Sequence, residues 1–344
     1  MESVVITGSA GLIGSHLAKK YLDLGWKVIG IDNLIGGYKE NMPLNEENFT
    51  YHHIDILDIH NLIKTLTFHE PSLVIHCAAL AHEGLSVFAP KTIVENIYSG
   101  TASLCSAAVQ AGVKTFINTT SMARYGEINP PFTEDQEVMP VDPYGLAKVH
   151  AEQHLNLMSD IHGIKVLHVV PHNVCGPHQC YSDPFRNVMS IFGNLIMRDR
   201  PVYIYGDGSQ KRSFSHVKDC VDAFITLYNK KDELDSGEVF NIGPDHGSET
   251  TVLELAQRVG AHCNKEPEIN FVPERPREVK NAWVSTDKAA KVLGYAADTP
   301  MEDTIRDTIT WIRTQPKRDF NYHLDLEIVN ETTPKTWTNQ LFNK

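Results

Sequence analysis

A glycine-spaced turn near the start of the chain constrains the fold more than any other feature. Gly8, Gly11 and Gly14 recur at three-residue spacing between an apolar strand, Val4-Val5-Ile6, and a helical pattern running from Leu12 to Leu24. Glycine allows the tight turn and lets backbone come close to a pyrophosphate at the helix N-terminus. A glycine turn alone is as often a plain turn, but this one follows a strand and opens a helix. Asp32 ends a second strand, Val28-Ile29-Gly30-Ile31. The separation from the glycines is the one expected of an acid that accepts both ribose hydroxyls of a dinucleotide. A carboxylate there repels a 2′-phosphate, and the nearest basic residue beyond it is Lys39. NAD is therefore favoured over NADP.

The first half of the chain alternates strands and helices. Further strands are expected at Phe49–Ile54, Leu73–His76, Thr115–Ile117 and Val166–Val169. Helices are expected over about 91–111 and 144–161. This alternation implies βαβ units with right-handed crossovers, and so an α/β, doubly wound parallel sheet of Rossmann type. After Val170 the alternation weakens. Pro171, Gly176, Pro177 and Pro184 punctuate a loop, a helix is expected over 185–197, and Ile305, Ile309 and Ile312 share one stripe of a helix over 301–313. The reading is a nucleotide-binding domain over 1–170 and a smaller substrate-binding lobe over 171–314, some of whose segments return to the first domain. Residues 315–344 read as a polar tail lying on the surface.

A net charge of −12 argues against a broadly basic surface, so neither nucleic acid nor an anionic membrane is expected as a partner. No apolar run approaches a spanning length of roughly 20 residues. No basic-then-apolar leader opens the chain, so no signal peptide is expected. The six cysteines form no CxxC pair, which fits a reducing, cytoplasmic location. His150 and His154 have the spacing of a helical metal pair but suggest no third ligand, and no histidine is assigned to metal.

Tyr144 and Lys148 stand four residues apart on the helix that Asp142-Pro143 opens, hence on one face. A phenol whose pKa a cation lowers, and whose proton a hydroxyl shares, can remove a proton from an alcohol beside a nicotinamide. Taken singly, a helical Tyr is usually packing and a Lys four residues on is usually solvated. Together with the glycine turn and with Thr119-Thr120-Ser121-Met122-Ala123-Arg124-Tyr125-Gly126, they resemble the extended short-chain dehydrogenase/reductase family, on its nucleotide-sugar epimerase branch.

The resemblance spans about residues 1–314 and implies specific roles. It makes Ser121, Tyr144 and Lys148 catalytic, with Lys148 on the nicotinamide ribose, lowering the pKa of Tyr144. It adds Leu12, Ile13, Asn33, Asp55, Ile56, Cys77, Ala78, Ala79, Ala81, Asn96 and His172 to the glycines and Asp32 as NAD contacts. It places Ser121, Asn173, Asn187, Val188, Arg212 and Arg275 on a nucleotide-diphosphate sugar, the two arginines clamping the diphosphate. Relatives that eliminate water carry an Asp-Glu pair after the serine; Met122 and Ala123 can transfer no proton. What remains is 4-epimerisation through a transient 4-keto sugar. The family also implies a homodimer built on the two long helices, and a size-limiting position at Ala282 that would leave room for an N-acetyl group at C2. Arg124 is expected to pair with an acid on the surface. A net oxidoreductase or 4-keto reductase on the same fold, and a non-catalytic nucleotide sensor, are the competing readings.

Overall fold

The strands nearest the sheet centre are apolar on both faces, which dictates layers of helix on each side. The computed structural model describes residues 2–244 and 247–344. Seven parallel strands form the main sheet: β1 (Ser3–Thr7), β2 (Lys27–Asp32), β3 (Phe49–His53), β4 (Leu73–His76), β5 (Thr115–Thr119), β6 (Lys165–Pro171) and β7 (Val239–Ile242). Their order is β7-β6-β5-β4-β1-β2-β3. The order reverses between β1 and β4, so their carboxyl ends open the crevice where ligands bind in such sheets. Val4 and Ile6 pack on the layer containing α1 (Leu12–Asp23). Val5, between them, faces the opposite layer of α2 (Ile59–His69), α3 (Gly100–Gln110) and α4 (Pro143–His162). The doubly wound α/β fold read from the sequence is the fold observed.

The glycine turn shows why its spacing is obligatory. Gly8 adopts a positive φ of 72°. A Cβ on Gly14 would stand 2.1 Å from the Gly8 carbonyl oxygen, closer than any side chain can approach. Asp32 closes the turn from below, its Oδ2 accepting from the Ala10 N–H at 2.9 Å.

A second core lies beyond the sheet. It joins α5 (Val188–Met197), α7 (Val252–Cys263) and α8 (Met301–Thr314) through Phe192, Leu195, Leu255, Val259, Ile305 and Ile309. Between them in sequence, α6 (Val217–Asn229) packs on α1, and β7 completes the main sheet. Helix α5 begins at Val188, three residues later than expected. The Asn187 side chain caps it by accepting from the Met189 N–H, and Asp183 holds Phe185 in a loop by accepting from its N–H at 2.8 Å. The expected helix over 91–111 is continuous but contains a wide π turn at Glu95–Ser99.

Residues 315–344 are not a loose surface tail. They bury Phe320, Leu324, Trp337 and Phe342, all under 10% exposed. Glu327 accepts from the N–H groups of Lys91 and Thr92 at 2.8 Å each, tying the segment to the start of the helix at Pro90–Val94. Isolated aromatics in a polar stretch carry no periodicity, so the sequence hides this strap. All six cysteines are free thiols. No helix among the described residues is long and apolar enough to cross a membrane.

Replacing Gly14 with Ala forces a methyl into the Gly8 carbonyl. Overpacking of this kind costs roughly 1–3 kcal/mol or more. Thermal or urea unfolding of Gly14→Ala should show that loss, together with loss of bound cofactor; unchanged stability would contradict the close approach.

Candidate active site

A cavity of about 410 Å³ runs from the glycine turn, past the carboxyl ends of β4 and β5, to the second lobe. Gly8, Gly11, Leu12, Ile13, Gly14, Asp32, Asn33 and Ile56 form one end. Cys77, Ala78, Ala79, Ala81 and Asn96 form its floor, and Ser121, Tyr144 and Lys148 the centre. Asn173, Asn187, Val188, Arg212 and Arg275 form the far end. The floor suits close approach of a flat ligand. A Cβ on Gly8 would lie 2.8 Å from the Ala78 amide nitrogen, so the wall here is backbone. Asn96 sits within the π turn, and its Oδ1 accepts from the Leu80 N–H at 2.8 Å, fixing the floor segment. A π turn inside a helix is often a functional feature.

Two of the residues expected in the cavity do not line it. His172 is wholly buried behind the wall, its Nε2 accepting from the Ser213 N–H at 3.3 Å, and burial drops its pKa to about 3. Its neighbours Pro171 and Asn173 face the cavity, so an extended chain turns His172 the other way. Asp55 instead braces the wall, accepting from the Asn33 side chain at 2.8 Å and from the Leu57 N–H. The expected size gate is also elsewhere. Ala282 is fully buried in a cluster with Tyr125, Phe132 and Val284, away from the cavity. The room for an N-acetyl group inferred from it is therefore unsupported.

The reacting groups are brought together by one junction. Asp142 caps α4, accepting from the Gly145 N–H at 2.8 Å. Gly145 then passes so close to the short helical turn Met122–Arg124 that a Cβ on it would stand 2.6 Å from the Ala123 carbonyl oxygen. Ser121 caps that turn, accepting from the Ala123 N–H. Arg124 is not a surface residue: it is buried and pairs with buried Glu152 of α4 at 2.9 Å. Thr120 donates to the same carboxylate. Breaking a buried pair by removing one partner costs about 3–5 kcal/mol. Arg124 thus positions Ser121 against Tyr144.

Lys148 donates to the Thr119 carbonyl at 2.8 Å, and its ammonium lies 6.0 Å from the Tyr144 ring centroid. Burial pushes the Tyr144 phenol up to about 12, against hydrogen bonding from Ser121 and the charge of Arg186. Burial likewise pulls Lys148 down to about 8. At Tyr144, burial outweighs the hydrogen bond from Ser121 and the charge of Arg186.

At the far end, Arg275 is gripped by Glu278 in a two-point contact of 2.9 and 3.1 Å and lies 4.5 Å from the Tyr205 ring centroid. Arg212 donates to the carbonyls of Lys211, Val279 and Lys280. Sequence reasoning missed several wall residues here, Glu83, Trp337 and Phe342 among them. Glu83 lies on the wall near both arginines, its carboxyl pushed up to about 7 by burial and by Asp142. Trp337 and Phe342 come from the strap. Only the position of Glu83, just after the floor segment, could have flagged it.

The segment 4–243 matches the family described as the NAD dependent epimerase/dehydratase family. The chain belongs to that family. NAD is accordingly its cofactor, as Asp32 and the glycine turn implied. A UDP-glucose 4-epimerase of Mycolicibacterium smegmatis is 31% identical over 90% of this chain and 98% of its own length. A dTDP-D-glucose 4,6-dehydratase of Mus musculus is 30% identical over 91% of this chain and 89% of its own. The crystal structure of a UDP-glucose 4-epimerase from Thermotoga maritima with UDP-glucose superposes with a TM-score of 0.83. It is 30% identical and covers 90% of this chain and 98% of that one.

Glu83 should make ligand binding pH-dependent. Its carboxyl, pushed up to about 7, would lose its proton above that pH and then stand as an anion beside any diphosphate held by Arg212 and Arg275. The affinity of a nucleotide-diphosphate sugar, followed by calorimetry, should fall as pH rises from 6 to 8. In Glu83→Gln that dependence should flatten; an unchanged slope would remove Glu83 from the diphosphate's surroundings.

Proposed function

We propose that the protein is an NAD-dependent nucleotide-sugar 4-epimerase that acts through a transient 4-keto intermediate. One observation carries the reading. Ser121, Tyr144 and Lys148 meet at the centre of a cavity whose two ends offer a dinucleotide cradle and paired arginines, while the positions after Ser121 are Met122 and Ala123. The dehydratase relative is 30% identical to this chain, but neither Met122 nor Ala123 can move a proton for elimination.

NAD, when bound, supplies the hydride acceptor and donor. Lys148 would hold the nicotinamide ribose. Tyr144 would take the proton of the sugar C4 hydroxyl during oxidation and return it during reduction, with Ser121 hydrogen-bonded to the same oxygen. Arg212 and Arg275 would hold the diphosphate while the hexose turns its other face. Asp32 would hold the adenosine ribose, and the backbone of Gly11 to Gly14 the pyrophosphate.

The partner reading extends to a homodimer. Leu146, His150, Gln153, Leu157 and Ile161 make one exposed stripe on α4, beside Val94 and Tyr98. Leu104 and Leu155, apolar residues of the same two long helices, are buried in the core of the single chain. An apolar face of this kind is often an association site. Leu157→Asp should convert the dimer to monomer in sedimentation at micromolar concentration; a wild-type protein that is already monomeric would end this reading.

The function is tested by incubating the protein with UDP-, GDP- and dTDP-hexoses and following C4 stereochemistry by NMR. One of them should invert at C4 without added NAD. Tyr144→Phe should reduce turnover by about 10²–10⁴ while leaving fold and bound NAD intact. A residual rate within a factor of a few of wild type would sink the assignment.

A further inference from the structure

We propose that His82, Asp183 and His323 form a divalent-metal site that clasps the C-terminal strap to the rim of the cavity, with Zn²⁺ the best-matched ion. The three residues come from three distant segments: the stretch after β4, the loop before α5, and the strap. Their donor atoms lie within 4.8 Å of one another. Bonds of about 2.0–2.1 Å to tetrahedral zinc put two ligand atoms roughly 3.3 Å apart, so closing the set needs movements on the order of one ångström.

The hydrogen bonds around the cluster leave one ring nitrogen of each histidine without a partner. His323 is within reach of the Asn321 carbonyl through Nδ1, at 2.9 Å. Donation from that nitrogen fixes the tautomer whose Nε2 keeps its lone pair, the arrangement seen behind metal-bound histidines. That Nε2 is buried without a hydrogen-bond partner. Asp183 uses Oδ1 to accept from the Phe185 N–H, leaving Oδ2 to face His82 Nε2 at 2.8 Å. His82 is 1% exposed, and its Nδ1 is also unpartnered. The His82 and His323 rings stand 6.1 Å apart and both flank Phe185, so the ion would sit in a partly apolar shell.

Two imidazoles and one carboxylate suit zinc rather than magnesium or calcium, and leave a fourth position for water. The strap is already joined here by the Asn321 N–H donating to the Ser182 carbonyl at 2.8 Å. A metal would add a link that joins all three segments at one point. The site does not depend on the sugar chemistry proposed above.

The test uses the full chain, stripped with chelator and reloaded with Co²⁺ or Zn²⁺. One Co²⁺ per chain should bind and give the visible d–d absorption of a tetrahedral nitrogen–oxygen site, and Zn²⁺ should displace it. Zn²⁺ should also slow proteolysis of the strap. His323→Ala and Asp183→Asn should each weaken metal binding by about 100-fold or more, since even outer partners of a ligand are worth 10–100-fold. His69→Ala is the control, because His52 and His69 form a separate surface pair at 2.9 Å, and it should leave the Co²⁺ spectrum unchanged. Absence of stoichiometric binding in the wild-type chain overturns the proposal whatever the variants do. So does a Co²⁺ spectrum that survives in His323→Ala and vanishes in His69→Ala.

Discussion

The approach of Gly145 to the Ala123 carbonyl is the contact on which the chemistry depends. It lets the N-terminus of α4 settle directly on the turn that Ser121 caps. Any side chain at 145 would push Tyr144 away from Ser121. Two further ties keep the junction closed: the Asp142 cap and the buried Arg124–Glu152 pair. Pre-organisation of this kind matters because a misplacement of about 1 Å can cost 10²-fold in rate. The glycine turn does the same for the cofactor end, where Gly8 and Gly14 meet backbone to backbone. The two junctions sit at the carboxyl ends of β1 and β5, the strands on either side of β4, so the sheet sets their separation.

What was legible in the sequence is what local chemistry dictates. Gly8, Gly11, Gly14 and Asp32 are bound to their positions by turn geometry and strand ends. Tyr144 and Lys148 are bound to each other by the pitch of one helix. The alternation of strands and helices was enough for the doubly wound sheet. What was not legible depends on which way a chain faces, or on contacts between distant segments. His172 is one residue out of phase with the cavity because extended chain alternates. Ala282 was placed by its position in the sequence, which does not reveal that its side chain packs against Tyr125, Phe132 and Val284. Arg124 looked like a surface charge because its acid, Glu152, stands on another element.

The strap shows the same lesson on a larger scale. Its polar composition and lack of periodicity read as a surface tail, yet Trp337 and Phe342 supply part of the cavity wall. Trp337 rests against Phe88 and Phe185, with ring centroids 5.9 and 5.5 Å away. Cavity shape at the sugar end therefore depends on a segment outside the domain that carries the reactive groups. Glu83 belongs to the same environment, between the arginines and the cap of α4, and supplies an ionisation near neutrality that the glycine and tyrosine motifs do not announce.

The central claim is that hydrogen leaves C4 of the sugar and returns to the same carbon. The most direct measurement uses a nucleotide sugar carrying deuterium at C4, incubated in ordinary water with the protein as purified. The account predicts that both C4 epimers retain the deuterium, with no solvent hydrogen entering at C4, C5 or C6 and no accumulation of reduced cofactor. Loss of the deuterium from C4 to solvent, exchange at C5, or a product lacking the C6 oxygen would contradict it.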